Sequence, residues 1–324
     1  SDQRLPVSIA NGDSVGWRAM PVRERRQILQ NVADQVRRAR ADLMGAALAE
    51  AGKTLLESDP EVSEAIDFLE FYSMSAVALD DLSGVRASGR GVVVVVSPWN
   101  FPIAIPCGGI AAALAAGNTV ILKPASNTVL VAHLLCECFY RAGVPREALQ
   151  MLPGPGRLVG ESLVTDDSVD TVILTGGTET ALRMLQAKPD MRLLAETGGK
   201  NATIVTAMAD RDQAIKHVLH SAFGHSGQKC SATSLLLLEE EGYTFNDLFE
   251  TVGGHPPSLR LLIKRSISLE TLIILDMCLG FIPKWDKAFR DPLWEQISFK
   301  IRKYKPFLSV NKSKYIKLLK EKFL

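Results

Sequence analysis

The chain has 324 residues, 47% of them hydrophobic and 23% charged, with five cysteines and a formal net charge of +1. That size and balance provide for two or three packed units and exclude wholesale disorder, a collagen-like fibre and a disulfide scaffold. No run of about 18 apolar residues lacks a charge, and no basic segment leads into an apolar one at the start, so the expectation is a soluble, cytoplasmic protein with no membrane span, trimmed or partial at Ser1.

The near-zero charge averages two unlike parts. Residues 1–240 carry 22 Lys and Arg against 27 Asp and Glu, net −5, whereas residues 241–324 carry 15 against 9, net +6. Alanine falls from 32 to one, Ala288, across the same point, and the basic residues change from mostly Arg to mostly Lys. A junction between two modules is expected at residues 239–242.

In chain order, residues 22–56 place apolar side chains every three or four positions (Ile28, Val32, Val36, Leu43, Ala47), the amphipathic helical pattern. Residues 60–78 repeat it after an expected turn at Ser58-Asp59-Pro60. The period then changes. Residues 91–96 are a β-branched run closed by Ser97-Pro98, suited to a strand buried on both faces. Helices at 110–116, 128–142 and 156–164 alternate with strands at 119–122, 149–152 and 171–174. This alternation predicts an α/β fold with a doubly wound parallel sheet.

Such sheets bind ligands at the carboxyl ends of their strands. The segments there are Ser97-Pro98-Trp99-Asn100-Phe101-Pro102, Lys123-Pro124-Ala125-Ser126, Pro153-Gly154-Pro155-Gly156 and Thr175-Gly176-Gly177-Thr178. None carries G-x-G-x-x-G, so a bound nucleotide is held otherwise than in an ordinary Rossmann turn. Lys123 can reach ribose hydroxyls, and Gly176-Gly177 precede a helix whose free N–H groups can receive a phosphate. A solvated Lys and an ordinary strand-to-helix turn account for the same residues.

Further on, Glu196 precedes Thr197-Gly198-Gly199-Lys200-Asn201, and Cys230 follows Gly227-Gln228-Lys229. A carboxylate and a thiol there can act as base and nucleophile, although a lone Cys is usually a small buried hydrophobe. Taken in order, Asn100 after Pro98-Trp99, Lys123 before Pro124, Glu196 before the paired glycines and Cys230 after Gln228-Lys229 resemble the aldehyde dehydrogenase superfamily. The segments 97–102, 196–202 and 224–232 look most like its Δ1-pyrroline-5-carboxylate dehydrogenase branch, including the C-terminal part of the bifunctional proline-utilisation enzyme.

The resemblance implies oxidation of glutamate semialdehyde to glutamate with NAD or NADP. Cys230 would attack the aldehyde, Asn100 and the Cys230 N–H would hold the oxyanion, and Glu196 would activate the deacylating water. Lys123 and Ser126, Gly176 and Gly177, and Pro98 and Trp99 would contact the cofactor. The family more often has Ser at the position of Gly177. Many NAD-preferring members have Glu at that of Ser126, which leaves the choice of cofactor open. The resemblance implies a nucleotide-binding domain over 1–195 and a catalytic domain that starts at 196 and stops near 240. The family's opening strands, its nicotinamide-ribose anchor and its oligomerisation strands are not found. An incomplete catalytic domain puts turnover in doubt.

The second module, 243–324, is expected to be a small all-α basic domain, with helices at 245–252, 258–266 and 269–281 and a break at Gly253-Gly254-His255-Pro256-Pro257. From Ser298 there are nine Lys and Arg against one acid, Glu321, interleaved with aromatics. That pattern suits either a solvated amphipathic face or a nucleic-acid surface. Residues 267–276, Asp291-Pro292-Leu293-Trp294 and Phe299-Lys300-Ile301-Arg302-Lys303-Tyr304 resemble the C-terminal domain of the T4-type phage helicase-loading protein. That likeness implies forked or single-stranded DNA and a replicative helicase as partners. Cys136 and Cys138 point to different helix faces, and His217 and His220 share a face without a third ligand, so no metal site is expected.

Overall fold

In the computed structural model, which describes residues 5–206, 208–239, 260–265 and 270–276, the chain forms two compact units, 1–198 and 199–324. The first opens with helices α1 (Leu5–Gly12), α2 (Val22–Arg38), α3 (Arg40–Ala51) and α4 (Leu55–Asp80). The turn expected at Ser58-Asp59-Pro60 is absent, because α4 starts at Leu55 and runs through Pro60. The Thr54 N–H donates to Glu57 Oε2 at 3.0 Å, fixing the helix start. Pro60, one turn further in, forfeits the bond to the Leu56 carbonyl and crowds it, but the helix continues.

Strands and helices then alternate: β1 (Val92–Val96), α5 (Ala104–Ala115), β2 (Thr119–Lys123), α6 (Val129–Arg141) and β3 (Leu149–Met151). A π-helical turn (Gly156–Gly160) leads into α7 (Glu161–Val164), followed by β4 (Thr171–Gly176), α8 (Thr178–Ala187) and β5 (Leu193–Thr197). The five strands are parallel in the order β3-β2-β1-β4-β5, which is the doubly wound sheet the alternation predicts. β5 is an addition to the sequence reading, and α5 begins six residues earlier than the expected 110.

The central strand divides its valines between two cores. Val93 and Val95 pack in a cluster with Leu29, Leu43, Leu69, Ile110 and Leu135 from α2 to α6, and Val92 and Val94 join Val7, Leu163 and Ala181 from α1, α7 and α8. Each fully buried aliphatic side chain contributes roughly 1.5–3 kcal/mol by leaving water. Paired glycines let α5 lie close to the sheet on one side and to α4 on the other. A Cβ at Gly109 would fall 2.9 Å from Val95 Cγ1, and one at Gly108 would fall 2.9 Å from the Phe68 ring.

The second unit contains β6 (Asn201–Val205), α9 (Arg211–Phe223), a 3-10 turn (Gly224–Gly227), β7 (Thr233–Glu239), β8 (Arg260–Arg265) and β9 (Glu270–Asp276). The strand order is β6-β7-β9-β8, with β6 and β7 parallel across α9 and the other pairs antiparallel. Asp210 caps α9, its Oδ1 accepting the Gln213 N–H at 2.9 Å.

β8 and β9 correct the all-α expectation for these two segments, which places them in helices at 258–266 and 269–281. Short apolar runs fit either element by pattern alone. Leu272, Ile273 and Ile274 find partners in Leu237, Leu236 and Leu235 of β7, which makes them a strand. The expected helix at 245–252, the Gly253–Pro257 break and the basic run from Ser298 lie outside the described residues. Among the described residues, no helix is long and apolar enough to cross a membrane, and no group of three or more His, Cys, Asp or Glu could hold a metal ion.

Candidate active site

Neighbouring strands β1 and β4 send their following helices to opposite faces, α5 to one core and α8 to the other. A crevice opens at the carboxyl ends of such a strand pair, where open parallel sheets take ligands. Pro98, Trp99 and Asn100 follow β1, and Gly176 and Gly177 close β4 and open α8. Trp99 is 41% exposed. Gly177 is the N-cap of α8, and no side chain caps that end. A Cβ at Gly177 would meet only Thr180 Oγ1, at 3.8 Å, so no side chain crowds the backbone at this end. Glu179 in the same turn adds a negative charge to that end.

One strand over, Lys123 ends β2. It is buried, its Nζ donates to the Pro124 carbonyl at 2.9 Å, and burial lowers its pKa from the ordinary lysine value. Ser126 Oγ donates to the Gly154 carbonyl at 3.4 Å, tying the loop after β2 to the loop after β3. Glu196 stands exposed on edge strand β5, opposite Thr175 of β4. These residues fit a dinucleotide. A side-chain-free approach to helix N–H groups suits a pyrophosphate, and an ammonium at the next strand end has donors left for hydroxyls.

What holds the turn after β1 escaped the sequence reading. Lys53 and Glu61 form a buried ion pair, Nζ to Oε2 2.6 Å, with side chains 5% and 0% exposed. Lys53 Nζ also donates to the Asn100 carbonyl at 2.9 Å and lies 4.0 Å from the centre of the Phe101 ring. Glu61 Oε1 accepts the N–H groups of Ile103 at 2.7 Å and Ala104 at 3.1 Å, capping α5 from another helix. This cap accounts for the early start of α5. Burial pushes the Glu61 carboxyl above the ordinary carboxylate value, opposed by Lys53 and by the two amides. Inside an amphipathic helical stretch, Lys53 and Glu61 read as ordinary charged positions, and no local pattern marks them.

In the second unit, Cys230 is exposed, unlike the buried small hydrophobe that a lone cysteine usually is. Just before it, His225 (φ 54°, ψ 36°) and Ser226 (φ 54°, ψ 30°) are left-handed, followed by Gly227 at φ 70°. Left-handed non-glycine residues cost about 1–2 kcal/mol each and gather at functional turns. Asn201, at the start of β6, donates through Nδ2 to the carbonyls of Cys230 (2.6 Å) and Ala232 (3.2 Å). That side chain ties the cysteine loop to the sheet. A chain of hydroxyls, Thr203 to Thr233 to Ser221 with 2.8 Å at each step, joins β6, β7 and α9.

The other described cysteines are of a different kind. Cys107, Cys136 and Cys138 are buried, the last two on α6, and burial pushes their thiols up, Cys136 to about 12 and Cys138 to about 11. Cys278 lies outside the described residues.

The profile of the aldehyde dehydrogenase family matches residues 3–251. The chain belongs to that family. The match passes the expected junction and overlaps a second one, over residues 233–322, to the C-terminal part of the T4 gene Gp59 loader of gp41 DNA helicase. Among curated relatives, bifunctional protein PutA of Escherichia coli is 43% identical over 248 residues, 74% of this chain and 18% of the relative. The 1-pyrroline-5-carboxylate dehydrogenase of Bacillus cytotoxicus is 38% identical over 257 residues, 73% of this chain and 50% of the relative. Among solved structures, 1-pyrroline-5-carboxylate dehydrogenase from Thermus with bound NAD has a TM-score of 0.72 at 35% identity, covering 78% of this chain and 52% of that one. The chain thus spans about half the length of the family's pyrroline-carboxylate dehydrogenases that it matches, and less of PutA.

Proposed function

We propose that this chain carries the dinucleotide-binding unit and the cysteine nucleophile of an NAD(P)-dependent dehydrogenase that oxidises glutamate semialdehyde to glutamate. The observation that supports it is the pairing of the Pro98–Asn100 segment and Gly176-Gly177 at the ends of adjacent strands, in a chain 38% identical to a 1-pyrroline-5-carboxylate dehydrogenase over 257 residues.

In this reading the Cys230 thiolate adds to the aldehyde carbon and forms a thiohemiacetal, and the oxyanion accepts hydrogen bonds from the Asn100 amide and the Cys230 N–H. NAD(P), when bound, supplies the two-electron acceptor that turns the thiohemiacetal into a thioester. Glu196 takes a proton from water, which adds to the thioester carbonyl and releases the acid and the Cys230 thiolate. Lys123 and Ser126 would hold the adenine ribose, and the N–H groups after Gly176-Gly177 would receive the pyrophosphate.

The test is titration of the full chain with NAD and with NADP, followed by assay of NAD(P)H release from glutamate semialdehyde. The reading expects saturable binding and release that C230S abolishes. A chain that binds neither nucleotide overturns it. The match at 233–322 favours a second reading, DNA binding by residues 243–324. It expects the full chain to bind forked DNA with affinity falling steeply as salt rises, and absent or salt-independent binding removes it.

A further inference from the structure

We infer that the buried Lys53–Glu61 pair is a positioning device for the turn of residues 97–103, setting the direction in which Asn100 is presented at the end of β1. The inference rests on the dehydrogenase reading for its consequence in catalysis, and on geometry alone for the positioning itself.

Between β1 and α5 the chain must reverse within seven residues, two of which, Pro98 and Pro102, have no N–H to contribute. Ser97 is anchored by its N–H on the Lys123 carbonyl at 3.2 Å. The far end is anchored by Glu61, which takes both Ile103 and Ala104 N–H groups on one oxygen. The middle is anchored by Lys53, through the Asn100 carbonyl and the Phe101 ring. One ion pair therefore grips the turn at its middle and at its far end.

Both partners are sealed from water and come from residues that precede the sheet: Lys53 just after the left-handed Gly52 that ends α3, Glu61 within α4. Neither lies at a strand end, so they act through Asn100. A buried pair is weak evidence for stability, since apolar residues of similar volume often replace one without loss. Apolar side chains cannot, however, hold a carbonyl and two amides in register, and that difference separates positioning from simple core packing.

The test uses the full chain labelled with 5-fluorotryptophan. The Trp99 fluorine resonance is assigned from a W99F sample, and Trp17, buried in the same unit, serves as the internal control. Three variants are compared, K53M, E61Q and the double K53M/E61L, which leaves no unpaired charge and so keeps the measurement possible should K53M not fold. In the folded variants the Trp99 resonance should shift or broaden while that of Trp17 stays in place. The kcat of aldehyde oxidation should fall by about 10²-fold, the size of losing one oxyanion donor, with the KM for NAD(P) within about twofold of the original. An unmoved Trp99 resonance in folded K53M/E61L overturns the positioning role, as does a KM rise that accounts for the whole loss. If the unsubstituted chain neither binds NAD(P) nor oxidises the aldehyde, the dehydrogenase reading fails, and the Trp99 resonance still decides the positioning.

Discussion

All five residues of β2 are buried between helices on both faces of the first sheet, whereas along β6 of the second unit burial alternates and Ile204 keeps 70% of its surface exposed. The thiols follow the same contrast. Three are sealed in helices of the first unit and Cys230 stands exposed in the second. Reactivity here is set by where the fold puts a sulfur, since the residue type is the same in all four places.

The contrast can be broken most forcefully by truncation. L122A, in a fully buried strand, should cost about 2–5 kcal/mol in urea denaturation, and I204A should stay within about 0.5 kcal/mol. Equal losses would erase the distinction between the sheets. Next in size is alkylation. Iodoacetamide should modify Cys230 at least about 100-fold faster than Cys107, Cys136 or Cys138, with the rates converging in urea, because only the thiolate reacts and burial suppresses it. Comparable native rates, read by peptide mapping, would show that the first unit opens more readily than its packing implies.

The same thiols sharpen the contrast through pH. Cys136 keeps its proton to about 12 in the folded chain, against an ordinary 9.0. Above 9 the unfolded chain binds fewer protons than the folded one, so stability should fall as pH rises from 9 towards 12. Each such thiol adds a slope of up to about 1.4 kcal/mol per pH unit. A flat stability curve across that range would refute the burial. Smallest is the effect of G177S. The open space around Gly177 admits the hydroxyl common in the family, and one added hydrogen bond of about 1 kcal/mol should tighten NAD(P) binding about fivefold in calorimetry.

The sheet was legible where residue type and period agreed. The valines of β1 and the short β-branched runs of β2 and β4, each bounded by turn residues, read as buried strands between helices. β5 was not, because Leu193–Thr197 is an edge strand with three exposed residues, and its composition carries no β signature. Pro60 misled because a proline costs a helix one bond without having to end it, and the start of this helix is set upstream by Thr54 and Glu57. β8 and β9 misled because short apolar runs take the conformation of whatever they pair with. The strand-end segments were legible by position, while the roles proposed for Cys230, Glu196 and Asn100 come only from the likeness of whole motifs. Lys53 and Glu61 were invisible, and Asn201 stood only as part of a motif, since their roles arise from contacts of 29 to 47 residues' separation.

The division of β1's valines between two cores has a dynamic consequence. Its amides lie between β2 and β4 under both layers, so loosening either set of helices alone leaves them protected. Deuterium will enter this strand only when the whole first unit opens, and its exchange rate measures that unit's full unfolding free energy, while the helices of each layer exchange ahead of it.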